Sequence, residues 1–454
     1  MDVVPPPVVV EANPPRQWWT WVLFMALVSC VVYGNLTAYF APSQEPTDII
    51  ASEKAMIEPA IRSKLLMDSV AGSSGEMSAL GSGDAQLFEV RADLIKKIDQ
   101  SDEAAAWVLA IDNLLGRQQT DRAIDRLALT DSEKWHDFGV AFDGSLDDPA
   151  VLSGDEILVK IARWRNEHPT LNKIPAKEIG MTVNAPLFIG FLGYLMMVIF
   201  GGVIVLVTYT AMKFSGMLPA KGYQSNISWR GFDARGARMG IYFSTFLILS
   251  LGFSLIAQQK LISEVVGSAI LMLILIALTP LFATAKSFGD KIKYREIIGD
   301  TSEIWKKLLW GFCGYMANLP IAFALLIGMT RLFPAMPTPS HEVIEMVKTS
   351  TGLSMFLLFF MVAIAAPLVE EPMFRGVLFP SLQKLFKSPT AAILLTGVVF
   401  AVIHMQGPLV WPALAVVGMT AAIMTRQTGS LIPAITMHAL HNATLFAFSM
   451  VMVK

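Results

Sequence analysis

Apolar runs separated by short polar connections fill most of the chain after residue 186. Most of these runs reach about 20 residues, the length at which a helix crosses the hydrocarbon core of a bilayer. The pattern predicts an all-α membrane protein, a polytopic helical bundle of about 8–9 transmembrane helices. The runs are 18–40, 187–212, 238–257, 263–285, 308–330, 351–369, 390–406, 409–425 and 430–452.

The run at 409–425 differs from the others because it is short and has proline at its start. Pro408 precedes it and Pro412 lies inside its first turn. Proline removes a backbone donor, and irregular backbone is tolerated at membrane depth only where protein buries it. Both a short spanning helix and a broken or re-entrant helix therefore stay open for this run.

Between the first run and the others, the pattern becomes that of a domain in water. Acidic residues outnumber basic ones from 43 to 184, and apolar residues recur with helical spacing in Leu87–Ile98, 102–115 and 157–164. We expect a large, acidic, mainly helical soluble insert. The predicted domains are a disordered tail at 1–16, a transmembrane anchor at 17–41, the insert at 42–186, transmembrane helices at 187–349 and a C-terminal core at 350–454.

Composition supports the membrane assignment and narrows the partners. The chain is 54% hydrophobic and only 16% charged, so much of its surface must face lipid. A net charge of -2 gives no basic surface for nucleic acid, and we expect no such partner. Cys30 and Cys313 both lie in apolar runs, which leaves neither a disulfide framework nor a cysteine-ligated zinc site.

The distribution of lysine and arginine predicts the orientation. Basic residues concentrate in the connections at 213–238, 286–307 and 384–387. The positive-inside rule makes these connections cytoplasmic. Counting spans back from them places the insert, 42–186, on the extracytoplasmic side.

Two adjacent carboxylates interrupt one apolar run, in the sequence EEPMFRG. An acidic side chain at the centre of a membrane helix costs about 2.5 to 3.5 kcal/mol, so Glu370 and Glu371 require partners. Arg375 follows Glu371 by four residues, the helical spacing that allows an ion pair. Glu370 lies about 100° further round the helix and is left for other chemistry.

The same four-residue spacing recurs in two later runs. Phe400 and His404 share one helix face in FAVIH, and His438 and Asn442 share one in HALHN. Three helices can therefore bring a carboxylate, two imidazoles and an amide into one polar pocket. That set can activate water and stabilise an oxyanion. The same glutamate and histidines also match the ligand types of a catalytic zinc site, and spacing does not separate these two chemistries.

These motifs resemble those of the CAAX prenyl protease and bacteriocin-processing family, also called Abi proteins or type II CAAX endopeptidases. EEPMFRG is similar to its EExxxR motif, FAVIH to FxxxH and HALHN to HxxxN, in the same order. The resemblance covers residues 350–454. It implies an intramembrane endopeptidase that hydrolyses a membrane-associated or lipidated peptide, with its site open toward the cytoplasm, and a bacterial inner membrane is the expected location.

The resemblance also assigns roles to the motif residues. Glu370 would act with His404 on water, and His438 and Asn442 would stabilise the oxyanion. A structural or substrate-positioning role would fall to three residues, Glu371, Arg375 and Phe400. Because members are described both as metalloproteases and as glutamate-type peptidases, zinc at Glu370, His404 and His438 is an option that the resemblance leaves open.

Two other functions compete with the peptidase. A non-catalytic membrane scaffold or an immunity-type regulatory protein could retain the same pocket. An ion-coupled transporter also uses intramembrane glutamate and histidine, although the sequence shows no inverted repeat between its halves. The remaining histidines carry no catalytic spacing, and we expect His136 and His168 on the surface of the insert and His441 bonded within the bundle.

Overall fold

A computed structural model describes most of the chain, and it divides into two compact units. The first, here the bundle unit, comprises Met1–Phe40 and Gly193–Val453; the second, here the acidic unit, comprises Ala41–Leu192 together with the last residue. The described residues are 18–40, 49–71, 84–171, 173–179, 185–218, 229–259, 263–284, 293–333, 346–347, 349–404 and 406–453. The predicted disordered tail at 1–16 lies outside them.

The acidic unit is built from helices of up to 21 residues, with 3-10 turns at Ile98–Gln100 and Pro149–Val151. Helix α4 (Asp102–Leu115) is the centre of this unit, because eleven of its residues in succession are buried. Ser101 caps the start of that helix by accepting from the Ala104 amide, and Gly116 ends it in the left-handed conformation. The helices are α2 (Ala51–Ala71), α3 (Asp84–Ile95), α4 (Asp102–Leu115), α5 (Asp121–Ala128), α6 (Glu133–Asp143), α7 (Glu156–Glu167) and α8 (Ala176–Ile179).

Long apolar helices form the bundle unit. Among the described residues, five helices are long and apolar enough to cross a membrane, and two shorter apolar helices accompany them. This confirms an all-α membrane protein, whereas the count of 8–9 spans stays a prediction. The helices are α1 (Trp19–Phe40), α9 (Ala185–Phe214), α10 (Trp229–Gln258), α11 (Glu264–Thr284), α12 (Tyr294–Ile298), α13 (Ile304–Leu332), α14 (Gly352–Phe386), α15 (Pro389–Val402), α16 (Trp411–Thr428) and α17 (Ile432–Val453).

Helix α14 carries the EEPMFRG sequence and contains two π-helical segments, Phe360–Ala365 and Pro372–Leu378. Three prolines, Pro367, Pro372 and Pro380, cannot donate the backbone bond of a regular α-helix. The turns between the two π segments, Ala366–Glu371, are α-helical and end on the two glutamates. A π turn shifts the direction of the side chains that follow it, and such turns are frequent at functional sites. Helix α14 is therefore a candidate location for the functional site.

Helices α15 and α16 approach each other closely at a pair of glycines. A Cβ atom added to Gly418 would lie 2.8 Å from the Cα atom of Gly397, closer than real Cβ contacts occur. Helix α16 is continuous from Trp411, with Pro412 in its first turn where proline is tolerated. The broken helix that the sequence left open for 409–425 is therefore not formed.

Candidate active site

Glu371 and Arg375 form a buried ion pair one helical turn apart in α14. Arg375 Nη1 donates to Glu371 Oε1 over 2.9 Å, and both side chains are fully buried. A second guanidinium nitrogen, Nη2, donates to the Gly418 carbonyl over 3.1 Å. The pair therefore fixes α14 against α16 at the same position where α15 and α16 come closest.

His438 reaches the same carboxylate from α17. Its Nδ1 lies 2.8 Å from Glu371 Oε1, the oxygen that also accepts from Arg375. Because an ionised carboxylate only accepts hydrogen bonds, Nδ1 carries the hydrogen and Nε2 is directed elsewhere. The other carboxylate oxygen, Glu371 Oε2, is buried and has no hydrogen-bond partner among the described residues.

Glu370 faces His404, which lies just past the end of α15. His404 Nε2 and Glu370 Oε2 are 4.0 Å apart, and each side chain keeps about a fifth to a quarter of its surface exposed. The other ring nitrogen, Nδ1, donates to the Phe400 carbonyl over 2.6 Å, which leaves Nε2 as the unprotonated nitrogen facing the carboxylate. Trp411 Nε1 donates to the His404 carbonyl over 3.2 Å and so fixes the turn that carries the histidine.

Phe400 lies in the middle of the polar side chains. Its ring centroid is 4.6 Å from that of His404, 5.5 Å from that of His438 and 4.6 Å from the Arg375 guanidinium carbon. The edge of an aromatic ring is positive and its face negative, so the stacked guanidinium is attracted to it. Phe400 thus separates the two histidines and positions both.

Asn442 makes a contact that the sequence did not predict. Its Nδ2 donates to the Val362 carbonyl in the first π segment of α14 over 2.8 Å. That carbonyl lacks its helical donors, because the Ala366 amide bonds to Met361 and the next residue, Pro367, has no N–H. Asn442 therefore joins α17 to α14, and its second amide hydrogen is left for other partners.

The fit of a metal can be tested on these distances. Glu370 and His404 present an oxygen and a nitrogen toward each other, whereas His438 bonds through Nδ1 to Glu371 and directs its Nε2 elsewhere. Within the described parts of the chain, no three histidine, cysteine, aspartate or glutamate side chains are grouped so that they could hold one metal ion. This arrangement does not fit a three-ligand zinc centre, and we derive no step through a metal.

The other histidines lie in separate surroundings. His441 is buried against α13, where its Nδ1 lies 3.4 Å from Asn318 Nδ2, and Asn318 Oδ1 accepts from Thr420. In the acidic unit, the His168 ring stacks on Trp164 and bonds to that residue's carbonyl. Neither histidine belongs to the pocket.

Sequence reasoning missed the pocket's backbone acceptors. The carbonyls of Gly418 and Val362 bind Arg375 and Asn442, and no residue type marks a carbonyl as an acceptor. The proline at 367 was a usable signal, since it frees a carbonyl one turn earlier. Glycine at 418 was another, because small residues allow close helix approach in membranes.

The fold and the site define the class: an all-helical membrane protein in which carboxylates, imidazoles and an arginine lie together between apolar helices. Residues 352–444 match the family model described as Type II CAAX prenyl endopeptidase Rce1-like, which confirms the resemblance that the three motifs predicted. The matched segment makes up about a fifth of the chain. No curated protein and no solved structure matches the chain.

Proposed function

We propose that this protein is an intramembrane endopeptidase in which Glu370 and His404 activate water. The observation that carries the proposal is the separation of 4.0 Å between Glu370 Oε2 and His404 Nε2, both of them acceptors. The distance is too long for a direct hydrogen bond and is bridged by one water molecule that donates a hydrogen to each. The water's lone pairs then point away from both residues, toward a substrate carbonyl.

The hydrolytic step follows from this arrangement. The water oxygen attacks the scissile carbonyl carbon as Glu370 takes one of its protons. The same proton passes from Glu370 to the amide nitrogen as the carbon–nitrogen bond breaks, giving an amine and a carboxylic acid that keeps the second proton of the water until it ionises. His404 keeps the water oriented, because its Nδ1–H is held by the Phe400 carbonyl and cannot rotate away.

His438 and Asn442 are the proposed stabilisers of the oxyanion. When the His438 ring is doubly protonated, Nε2–H becomes a donor, and the Glu371 carboxylate at Nδ1 stabilises that cation. Asn442 contributes the amide hydrogen that the Val362 carbonyl does not use. Arg375 also pairs with Glu371 and partly neutralises the negative charge of that carboxylate.

A membrane-associated or lipidated peptide is the proposed substrate class. The site lies among helices that are long and apolar enough to cross a membrane, and the matched family model is named for prenyl endopeptidases. We place the site toward the cytoplasmic face of a bacterial inner membrane and the acidic unit outside, as the basic connections indicate. The acidic unit then acts as a docking or sensing domain.

Cleavage of a panel of fluorogenic membrane peptides by detergent-purified protein tests the function. Glu370→Gln and His404→Ala should each abolish cleavage while the protein elutes as wild type in gel filtration. Glu156→Gln is the matched control, because that glutamate is 81% exposed in the acidic unit and should leave the rate unchanged. Cleavage retained in both pocket variants would exclude Glu370 and His404 as the water-activating pair, and no cleavage of any peptide by the wild-type protein would favour the scaffold.

The same cleavage assay in the presence of a chelator distinguishes metal-free from metal-dependent hydrolysis. Activity that survives exhaustive chelation supports the pair of Glu370 and His404 acting on water without a metal. Activity that chelation removes and zinc restores would assign these two residues as metal ligands and contradict the direct mechanism.

A further inference from the structure

Arg235, outside the matched segment, contacts the helix that carries the two glutamates. It lies in the first third of α10 and is 8% exposed. Its Nη1 donates to the Gly376 carbonyl in the second π segment of α14 over 2.8 Å. Gly376 directly follows Arg375, so this bond is made one residue from the buried ion pair.

A proline explains why this carbonyl can accept a side chain. In an α-helix the Gly376 carbonyl would accept from the amide of residue 380, which is proline and has no N–H. The helical bond next to it is also shifted, because the Phe379 amide donates to Phe374 in the π pattern. A proline ring also pushes the carbonyl of the preceding turn outward. The Arg235 guanidinium therefore donates to a carbonyl that has no α-helical donor at residue 380.

A proline also lies close after the carbonyl that accepts a side chain in the first π segment of α14, there five residues later and not four. Pro367 removes the donor for the Val362 carbonyl, and Asn442 of α17 supplies it. The glutamates lie between these two side-chain bonds. Each proline-weakened turn is thus bonded to a separate helix, on either side of the residues that do the chemistry.

A further contact holds the same glycine from another direction. A Cβ atom on Gly376 would lie 2.4 Å from Ile297 Cγ2, so α12 packs directly on its hydrogen. Both the carbonyl and the α-carbon of Gly376 are therefore fixed by neighbours. Such double restraint is expected where a helix segment must keep its side chains in place.

We propose that Arg235 is a positioning residue of the hydrolytic site, which acts by holding the Gly376 turn of α14 and through it Glu370 and Glu371. The kinetic test of this inference rests on the proposed function, whereas its test by hydrogen exchange does not. Arg235 touches neither the substrate nor the reacting atoms. Its loss should therefore change the rate of the chemical step more than substrate binding.

A double-variant cycle tests the role. Arg235→Gln should lower kcat by about 10-fold to 100-fold with little change in KM, as small misplacements at reacting groups do. Pro380→Ala restores a backbone N–H opposite the Gly376 carbonyl and alone should leave kcat close to wild type. The double variant should regain most of the lost kcat, and Arg331→Gln, an exposed arginine of α13, is the matched control.

Hydrogen exchange gives a readout that does not need activity. The α14 peptide covering 372–386 should exchange faster in Arg235→Gln and return toward wild type in the double variant. Wild-type kcat and exchange in Arg235→Gln, or no recovery in the double variant, would overturn the proposal. If the wild-type protein cleaves no peptide but exchange follows this pattern, the proposed function fails while the restraint by Arg235 stands.

Discussion

Asp112 of the acidic unit and the glutamates of α14 are carboxylates withdrawn from water, and their oxygens have different surroundings. Asp112 is fully buried, and both its oxygens accept: Oδ1 from Arg91, Oδ2 from the amide and hydroxyl of Thr120. Glu370 and Glu371 each have a buried Oε2 that no described group bonds. A buried polar atom without a partner is costly, so such atoms require an explanation.

The comparison separates a structural carboxylate from a reactive one. The Asp112 carboxylate accepts three hydrogen bonds from the protein itself, and these bonds connect α3, α4 and the turn before α5. The two Oε2 atoms of α14 instead accept no hydrogen bond from the described groups. Active sites commonly retain such destabilised groups, and their removal can leave stability unchanged or raise it.

The largest expected effect comes from Glu371→Ala. This change leaves the Arg375 guanidinium buried without its carboxylate and His438 without its acceptor, at a cost of about 3–5 kcal/mol. Both peptide cleavage and thermal stability should fall. Glu370→Gln should lose cleavage alone, and an equal loss of stability in the two variants would break the distinction.

Asp112→Ala should give a loss of stability of similar size, confined to the acidic unit. Arg91 and Thr120 would lose their shared acceptor, and removal of one partner of a buried pair costs about 3–5 kcal/mol. Limited proteolysis at rising temperature should cut residues 84–171 earlier than in the wild type. Asp125→Ala, an exposed position of α5, is the control, and equal resistance of the two variants would show that Asp112 is not structural.

Gly418→Ala should have a smaller effect, on helix packing. The added methyl group would press on Gly397 of α15, and overpacking costs about 1–3 kcal/mol. Because the Gly418 carbonyl also accepts from Arg375, cleavage should fall with the melting temperature. Gly328→Ala of α13, where nothing lies within 4 Å of the new methyl group, serves as the control. An unchanged melting temperature in Gly418→Ala would contradict the close approach.

Asp300→Asn should have the smallest effect, because its carboxylate lies on the surface. The hydrogen bond from Lys307, followed by those from Ser302, lowers the pKa of Asp300 from its ordinary 3.8 to about 2. A lowered pKa contributes stability that is present above the ordinary value and lost as the pH falls toward the folded value. The melting difference between wild type and Asp300→Asn should therefore be small at pH 7 and vanish near pH 2. A difference that grows on acidification would contradict this pairing.

The sequence predicted the residues of the pocket better than their bonds. Apolar runs and four-residue spacings suffice to place Glu371, Arg375 and the histidines on helix faces, because the α-helical period is regular. The Glu371–Arg375 pair is local, and the structure has it. Spacing along the chain does not predict contacts between distant helices. His438 bonds to Glu371 and not to Glu370 because of how α17 packs on α14.

The π segments mark the limit of prediction from periodicity. A period of 3.6 residues carried through α14 would misplace the residues after Phe360, because each π turn adds a residue. Pro367 and Pro380 signal irregular backbone but not which neighbour compensates it. Arg235 and Asn442 fill that role from positions that are 141 and 80 residues away in sequence from the carbonyls they bind. Local sequence patterns carry no information about such distant partners.

The most direct test of the central claim is a single turnover in water enriched in oxygen-18, followed by mass analysis of the product and of the protein. If Glu370 and His404 direct water onto the scissile carbonyl, the heavy oxygen should enter the new carboxylate of the product and leave the peptide containing Glu370 unlabelled. Heavy oxygen in Glu370 would show that its carboxylate attacks the substrate itself, and that result would contradict the account.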